Sequence, residues 1–472
     1  MTDHIRHSGF WCRLFVVCGL VGAALFGESS LGSAQTPQSM QDILAEDSHS
    51  PPGAFTTTVA YVAQFYPLWF TYYQSQLGTL NRLAGPDRVS PLYHFVVLIN
   101  DDTFYASSFL DLTTEPAILT IPATTSVTYS MLNLSPYGDI FQTDIPPQTA
   151  GVYAFTGPGF SGTLPLGLTQ IEMPLNTSTL IFRADKYSPT GENQINEAET
   201  FRRSLMLQSL SDYLKNPSGG ATTILPEIAF SVPFKTTADL LVARDPISFL
   251  KQLQRAVAAP NTPPLSPDEQ ALSNRFDTLF GNGYRQRAEF SAGAQAAHKL
   301  IIDSYLTHTG PTNWIHFTNI GNWGDHIFER SAITEFCQYC NGIEAAAYYH
   351  AFNDIDGRAL DGRDSRGYVL TFSAAQIPMA ERFWSLTAYT PQAVELVPNP
   401  ADKYVVASYT PGLKYNADGS LSVYLSRMPP AGVAVANWLP VPYSKFNIAL
   451  RVYGPEGDVE NNTYVPPGIR MR

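Results

Sequence analysis

The fold of this chain is decided by short aliphatic runs such as residues 117–122, which read Ala-Ile-Leu-Thr-Ile-Pro. A second run at residues 151–155 reads Gly-Val-Tyr-Ala-Phe, and between residues 93 and 182 such runs alternate with turns that contain proline or glycine. Short runs of β-branched and aromatic side chains bounded by turn residues are typical of strands. The sequence therefore predicts an antiparallel sheet system in this region.

Strand patterns return near the C-terminus, between residues 367 and 453. They include Tyr-Val-Leu-Thr-Phe at 368–372, Leu-Ser-Val-Tyr-Leu at 421–425 and Phe-Asn-Ile-Ala-Leu at 446–450. The turn sequence Asn-Ala-Asp-Gly at 416–419 leads into the middle run. Its Asp-Gly dipeptide favours a tight turn between strands. A second sandwich or jelly roll is predicted here.

Helical patterns occupy two other regions. Aromatic and aliphatic residues recur at near-helical spacing between residues 56 and 80, which predicts a helix bent or interrupted at Pro67. Between residues 191 and 347 we expect about four to six helices, one of them beginning at Ser266, where a cap, a proline and a glutamate follow in order.

The predicted fold class is α+β, with two antiparallel β-sandwich or jelly-roll-like domains joined by a helical segment. The predicted boundaries are a signal peptide at residues 1–34, a flexible arm at 35–54, a first sandwich domain with its N-terminal helix at 55–190, the helical segment at 191–347 and a second sandwich domain at 348–472.

The N-terminal residues resemble a cleaved export signal. Arg6 and Arg13 precede an apolar run at 14–26, and Gly-Ser-Ala at 32–34 supplies the small residues of a cleavage site. The apolar run is shorter than the roughly 20 residues needed to span a bilayer. We therefore expect a periplasmic or secreted protein without stable membrane insertion, whose mature chain begins near Gln35.

The charge of the chain excludes some partners. Its 41 acidic and 29 basic residues give a formal net charge of -12. Because nucleic acids and anionic membrane surfaces repel such a chain, neither is an expected partner.

Only two cysteines, Cys337 and Cys340, follow the predicted leader, which is too few for a disulfide framework. In an oxidising compartment their spacing favours a local disulfide. Redox catalysis is the weaker interpretation, because the strand-then-helix setting of a thioredoxin motif is missing.

The densest polar cluster lies at residues 100–105, Asn-Asp-Asp-Thr-Phe-Tyr, beside a predicted strand. Such a set of directional donors and acceptors suits a binding site. Asp102 and Tyr105 are the predicted catalytic pair, as base and proton donor, and Asn100 and Thr103 are predicted to bind ligand. The alternative is a turn in which Asn100 and Asp102 bind only their own backbone.

A second predicted ligand-binding group contains Trp323, Asp325 and Arg330. An aromatic ring, an acid and a guanidinium group suit a carboxylate or a sugar. The alternative is a helix start at which Asp325 lies near the N-terminus and Arg330 pairs with Glu329 or Glu335.

No metal site and no cofactor is predicted. The three histidines His308, His316 and His326 lack the four-residue spacing that places two ligands on one helical face. The acidic stretch at 354–364 lacks ligands that an EF-hand requires, and Gly159-Phe160-Ser161-Gly162 is not a nucleophile elbow.

Several stretches resemble two families that usually occur together. Residues 99–106, with 110–112 and 115–116, resemble the signature of the domain-of-unknown-function family 1254 (DUF1254), in which Asn100, Asp102, Thr103 and Tyr105 match and Phe104 replaces a leucine. Residues 382–389, 398–399, 418–421, 437–440 and 451–455 resemble its C-terminal companion, family 1214 (DUF1214). The resemblance implies two β-sandwiches joined by helices, export and a homo-oligomer, but no reaction class.

The functional hypothesis is an exported protein that binds a small oxygen-rich molecule, a sugar derivative or a carboxylate, in a polar, aromatic-lined pocket. It requires that the two polar clusters meet, and it leaves acid–base catalysis open. The alternative is a non-catalytic envelope-associated binding or scaffold module.

Overall fold

The chain alternates between β-rich and helical regions. The computed structural model describes residues 38–45, 52–124, 126–281 and 284–472, and these residues belong to one compact unit. The leader predicted at 1–34 lies outside the described residues.

The first sandwich contains two sheets, with strand orders β4-β7-β2-β1-β9 and β6-β5-β3-β8. Pairing is antiparallel except between β1 and β9 and between β5 and β6. Leu119 and Phe155 from one sheet and Leu180 and Phe182 from the other share one buried core. The elements of this region are α1 (Met40–Ala45), α2 (Ala54–Ser75), β1 (Ala84–Pro86), β2 (Thr103–Asp111), β3 (Ala117–Ile121), β4 (Tyr129–Leu134), β5 (Gly151–Thr156), β6 (Thr169–Glu172), β7 (Thr177–Asp185), α3 (Ile195–Ser204), β8 (Met206–Ser209), α4 (Leu210–Lys215) and β9 (Thr223–Leu225).

A helical layer follows, and α2 packs against four of its helices. The layer contains α5 (Phe234–Arg244), α6 (Pro246–Val257), α7 (Pro267–Gly281), α8 (Arg287–Thr307) and α9 (Ile327–Cys337), with 3-10 turns at Glu227–Phe230 and Tyr284–Gln286. Among the described residues, no helix combines the length and the hydropathy needed to cross a bilayer.

The second sandwich has strand orders β10-β16-β12-β13 and β15-β14-β11-β17. Trp384 and Leu450 from the first of these sheets and Leu370 and Val423 from the second lie in one core. The strands are β10 (Ala346–Ala351), β11 (Tyr368–Phe372), β12 (Ala380–Tyr389), β13 (Val405–Ala407), β14 (Leu421–Ser426), β15 (Trp438–Pro440), β16 (Asn447–Pro455) and β17 (Arg470–Met471), with 3-10 turns at Ala374–Gln376 and Val435–Asn437.

The predicted α+β class with antiparallel-rich sheets is confirmed. The helix predicted around Pro67 is present, and α2 continues through the proline. A proline cannot donate to the carbonyl four residues before it, here that of Ala63. The Ser331 hydroxyl donates to this carbonyl at 3.0 Å instead, which explains why the helix tolerates Pro67. The predicted helix start at Ser266 is also present, because Ser266 Oγ accepts from Glu269 N at 3.3 Å and the Glu269 carboxylate accepts from Ser266 N at 2.8 Å.

Two local expectations were wrong. The flexible arm predicted at 35–54 contains α1, in which Met40 and Ile43 are buried, and α1 packs against α2. The helical segment predicted at 191–347 holds seven α-helices in its described residues and also two strands, β8 and β9. These strands pair with β3 and β1 of the first sandwich. The strands with which β8 and β9 pair are distant in sequence. The local sequence pattern therefore did not predict β8 and β9.

Candidate functional site

The segment before β2 crosses from the first sandwich to the second. Leu98 N donates to Val394 O at 3.0 Å, and the Tyr389 hydroxyl donates to Ile99 O at 2.7 Å. Leu98 adopts a positive φ of 56°, which is unusual for a bulky side chain. These contacts bring the polar cluster at 100–105 against the second sandwich.

A cavity of about 50 Å³ lies beside this segment, and we call it the Arg451 cavity. Its walls come from β2, β7, β10, β16 and residues 338–340. Aliphatic and phenyl side chains form much of the wall, and five tyrosines also line it, namely Tyr93, Tyr105, Tyr339, Tyr348 and Tyr453. A volume of this size admits a few water molecules or a small ligand.

Arg451 on β16 lines this cavity and is 1% exposed. Its Nη2 donates to Leu98 O and to the Tyr389 hydroxyl, whereas its Nη1 has no hydrogen-bond partner among the described residues. Buried donors in folded proteins are almost always paired. The guanidinium group of Arg451 is therefore only partly satisfied by the protein.

Arg183 on β7 lines the same cavity and is 6% exposed. Its Nη1 donates to Asn341 Oδ1 at 3.0 Å and its Nη2 donates to Tyr339 O at 2.6 Å. The guanidinium carbon also lies 5.7 Å from the centre of the Tyr105 ring. Both acceptors are neutral, so they orient Arg183 without balancing its charge.

The charged groups around the cavity do not balance. Among the described residues, no carboxylate lies within 4.0 Å of either Arg183 or Arg451, although buried Arg382 forms an ion pair with Asp185. Asp102 is the other buried acid in this neighbourhood, and Arg451 acts on it electrostatically. Three guanidinium groups and two carboxylates leave one excess positive charge. Burial of an uncompensated charge is costly, so the site favours an anion.

Asn100 takes part in a local turn and also lines the cavity, so it fits both alternatives that the sequence left open. Its Oδ1 accepts from Asp102 N at 3.1 Å and from the Thr103 hydroxyl at 3.2 Å, as in a local polar turn. Its Nδ2 donates to the Tyr453 hydroxyl, and the side chain lines the Arg451 cavity. The turn therefore also presents a side chain to the cavity.

Asp102 and Thr103 are fully buried and do not line the Arg451 cavity. The Asp102 carboxylate accepts from Ser385 Oγ at 2.8 Å and from the Tyr409 hydroxyl. Burial raises the pKa of Asp102, while Arg451 and these two hydrogen bonds oppose the increase. The acid predicted as a base is thus engaged in binding the second sandwich.

Tyr105, the other half of the predicted catalytic pair, does line the cavity. Burial raises the pKa of Tyr105, and the nearby Arg183 opposes that increase. Tyr105 therefore presents a neutral phenol group to the cavity.

The second predicted group lies elsewhere. Trp323 and Arg330 line a separate cavity of about 20 Å³, which we call the Trp323 cavity. Trp323 Nε1 donates to Gly138 O at 3.0 Å, and Arg330 Nη2 donates to Gln64 O at 2.7 Å. Asp325 is exposed and lines neither cavity. The two predicted clusters do not share one cavity.

The expected alternative for Arg330, pairing with a nearby glutamate, is also absent. Glu329 accepts from Asn319 Nδ2 at 2.6 Å and contacts His308 and His326. Glu335 pairs with Lys235 instead. Arg330 is therefore a further buried guanidinium group without a carboxylate within 4.0 Å among the described residues.

Cys337 and Cys340 form the disulfide that the sequence favoured. We call residues 337–341 the disulfide loop. Gln338, Tyr339 and Cys340 line both cavities. The loop is therefore the wall between the Arg451 cavity and the Trp323 cavity.

One cluster among the described residues has the composition of a metal site. Ligand atoms of Asp239, His298 and Glu335 lie within 4.8 Å of one another. Lys235 Nζ lies 2.9 Å from Asp239 Oδ2 and also donates to Glu335. Because this ammonium group contacts both carboxylates, it takes the place of a cation. Sequence analysis missed the cluster, whose members lie on three helices far apart in the chain.

Comparison with known proteins agrees with the resemblance. The family model described as a protein of unknown function, DUF1254, matches residues 76–209, and that described as a protein of unknown function, DUF1214, matches residues 345–457. The chain therefore contains a DUF1254 region and a DUF1214 region. Arg183 belongs to the first region, Arg451 to the second, and the disulfide loop to neither.

Two solved structures are similar to this chain. The VPA0106 protein from Vibrio parahaemolyticus has a TM-score of 0.55 at 18% identity and covers 89% of this chain and 100% of its own. An uncharacterised protein from Burkholderia cenocepacia has a TM-score of 0.40 at 14% identity, over 92% of this chain and 94% of its own. The first match shows a shared fold. No curated protein matches the chain.

Sequence analysis missed both arginines of the Arg451 cavity, although signals existed. Arg451 and Tyr453 stand in the stretch 451–455 that carries the DUF1214 resemblance. Arg183 directly follows the run Leu-Ile-Phe at 180–182 in a strand that is buried throughout. A charged residue in such a strand requires a specific partner, and this was the usable signal.

Proposed function

We propose that this protein binds a small organic carboxylate in the Arg451 cavity. The observation that carries the proposal is the pair of buried guanidinium groups, Arg183 and Arg451, which line one cavity without a carboxylate partner among the described residues. Removing such a charge from water is costly unless it is paired. A carboxylate ligand supplies the missing charge and two acceptor oxygens that fit a guanidinium group.

The lining favours a short carboxylate over a sugar derivative. Sugars need many polar partners, whereas the hydroxyl of Tyr453 already accepts from Asn100, and that of Tyr348 accepts from Asn341. Phe95, Val97 and Ile181 make an adjacent apolar wall. A pocket with a few polar groups in an apolar lining suits a ligand with one charged end and a small apolar remainder.

Binding without turnover is the better supported form of this function. Acid–base catalysis needs a base within hydrogen-bond reach of the substrate, and the Asp102 carboxylate is engaged by Ser385 and Tyr409. Among the described residues, a purely structural scaffold leaves one excess guanidinium charge and the Nη1 donor of Arg451 without a partner. We therefore prefer a binding protein to both alternatives.

Acetate and propionate are expected to bind the wild-type protein in titration calorimetry, and Arg451→Lys is expected to weaken binding at least about tenfold. A lysine keeps the charge but loses the planar fork, and a hydrogen bond to a charged group contributes about 1.5–3 kcal/mol, where about 1.4 kcal/mol corresponds to tenfold in affinity. Arg330→Lys is the matched control, since Arg330 lines only the Trp323 cavity, and it should bind acetate as the wild type does.

Arg451 also hydrogen-bonds to Leu98 and Tyr389, so its substitution removes structural contacts as well. A second variant therefore tests the cavity without changing Arg451. Val97→Phe enlarges a side chain of the cavity wall and leaves both arginines in place. It should remove acetate binding while circular dichroism stays unchanged. Full acetate affinity in a folded Val97→Phe protein would exclude the Arg451 cavity as the site.

We also propose that the protein is exported before it acts. The leader sequence with Arg6, Arg13 and the small residues at 32–34 supports this, and so does a disulfide, which persists in oxidising compartments. Mass spectrometry of the protein from its native host should find a mature N-terminus near Gln35. A chain that retains Met1 would contradict export by cleavage. The homo-oligomer implied by the family resemblance stays a prediction.

A further inference from the structure

The disulfide loop contacts the proposed anion site through Arg183. We propose that the Cys337–Cys340 disulfide is a positioning device that holds Arg183 where it binds the carboxylate, so that loss of the disulfide weakens binding. This inference rests on the proposed function and adds a redox dependence to it. Its evidence lies in the geometry of the loop, the contacts of Arg183 and the position of the loop between the cavities.

The disulfide loop contains a residue in an unfavourable backbone conformation. Cys340 N donates to Cys337 O at 3.0 Å, which closes a tight turn after α9, and Tyr339 within that turn adopts a positive φ of 63°. A tyrosine rarely adopts this left-handed conformation. The cross-link between the two cysteines keeps the turn closed and so keeps Tyr339 in it.

This conformation directs two acceptors at Arg183. The Tyr339 carbonyl accepts from Nη2 at 2.6 Å and the Asn341 side chain accepts from Nη1 at 3.0 Å. Asn341 is itself held, because its backbone N and its Nδ2 donate to the Tyr348 hydroxyl at 3.1 and 2.8 Å. Arg183 is thereby bound at two points by neutral groups, while its positive charge stays available to a ligand.

Side chains of the disulfide loop also hydrogen-bond to Gln74, and these bonds hold the loop in place. Gln338 and Gln74 exchange amide hydrogen bonds of 2.8 Å in both directions, and the Tyr339 hydroxyl donates to Gln74 Oε1 at 2.7 Å. All of these contacts are made beside the wall that separates the two cavities. A shift of the loop therefore changes the Arg451 cavity directly.

Reduction breaks the S–S bond and converts Cys337 and Cys340 into two thiols. The two electrons and two protons come from a dithiol such as dithiothreitol, which becomes a cyclic disulfide. Without the cross-link, Tyr339 relaxes to a common backbone conformation and its carbonyl leaves Arg183. Arg183 then has to be ordered when the ligand binds, and this lowers the affinity.

The test compares acetate affinity in the full chain with an intact disulfide and in the double variant Cys337→Ser and Cys340→Ser. We expect binding to weaken about two- to tenfold, as when one long side chain loses preorganisation. In an Arg183→Lys background the same double substitution should cause no further loss, because the disulfide acts through Arg183. Asp364→Ala is the control, since Asp364 lines neither cavity and the variant keeps the disulfide, and it should bind as the wild type does.

The outcomes separate this inference from the proposed function. Equal acetate affinity with and without the disulfide, in folded proteins, overturns the positioning role alone, and so does an undiminished loss in the Arg183→Lys background. Failure of the intact wild-type protein to bind acetate or propionate overturns both. If the double serine variant does not fold, Asn341→Ala replaces it, because it keeps the disulfide and removes one contact to Arg183. Unchanged affinity in that variant also overturns the role.

Discussion

Asp185→Ala is expected to lower the free energy of unfolding by about 3–5 kcal/mol, the cost of leaving a buried charge without its partner. Asp185 on β7 and Arg382 on β12 are both buried, and Arg382 Nε donates to Asp185 Oδ2 at 2.8 Å while its Nη2 donates to Oδ1. The pair connects the two sandwiches. Denaturant unfolding monitored by tryptophan fluorescence measures the loss.

The exposed pair of Asp364 and Arg366 is a matched control, because its guanidinium group also donates to both carboxylate oxygens, at 3.1 and 2.8 Å. The Arg366 side chain is 60% exposed, so solvent screens the interaction. Asp364→Ala should leave stability almost unchanged. Equal effects of the two substitutions would show that burial does not set the strength of the Asp185 pair.

Raising the pH from 6 to 10 is expected to remove about 3 kcal/mol of stability that depends on His298. Burial by itself lowers the pKa of His298, but hydrogen bonds and charges from Asp239 and Glu335 raise it to about 9. Lys235 and Tyr66 are further titratable groups that contact this cluster. The unfolded value is about 6.5, and each pKa unit corresponds to about 1.4 kcal/mol.

The sign follows from the direction of this shift. The folded pKa of His298 lies above the unfolded value, so the contribution is fully present below about pH 6.5 and is lost as the pH rises through about 9. Urea unfolding measured at intervals across this range should show the decline, and His298→Gln should flatten it. A decline of the same size in His298→Gln would assign the effect to another group.

These expectations concern regions on either side of the proposed site. Arg382 of the pair lies 5.3 Å from the centre of the Tyr453 ring, which lines the Arg451 cavity, and α9, which carries Glu335, leads directly into the disulfide loop. Substitutions in these regions are therefore expected to affect both stability and acetate binding. Variants of the cavity should be compared only after their unfolding curves are known.

Much of the local structure was predictable. The strand at 368–372 has the predicted bounds, the helix around Pro67 is present, and the cap at Ser266 forms as predicted. These features depend on neighbouring residues, since strand runs, helical spacing and caps all act over a few positions. The short strands β8 and β9 escaped prediction because their partners are remote.

The sequence by itself determined the α+β class and the resemblance to the two families, favoured the disulfide and indicated two polar clusters to test. Only the tertiary structure decided that those clusters line different cavities and that Arg183 and Arg451 line the same one. The physical reason is that charge balance at a buried site depends on side chains from separate sheets. Those side chains lie hundreds of residues apart, and no local pattern records which of them meet.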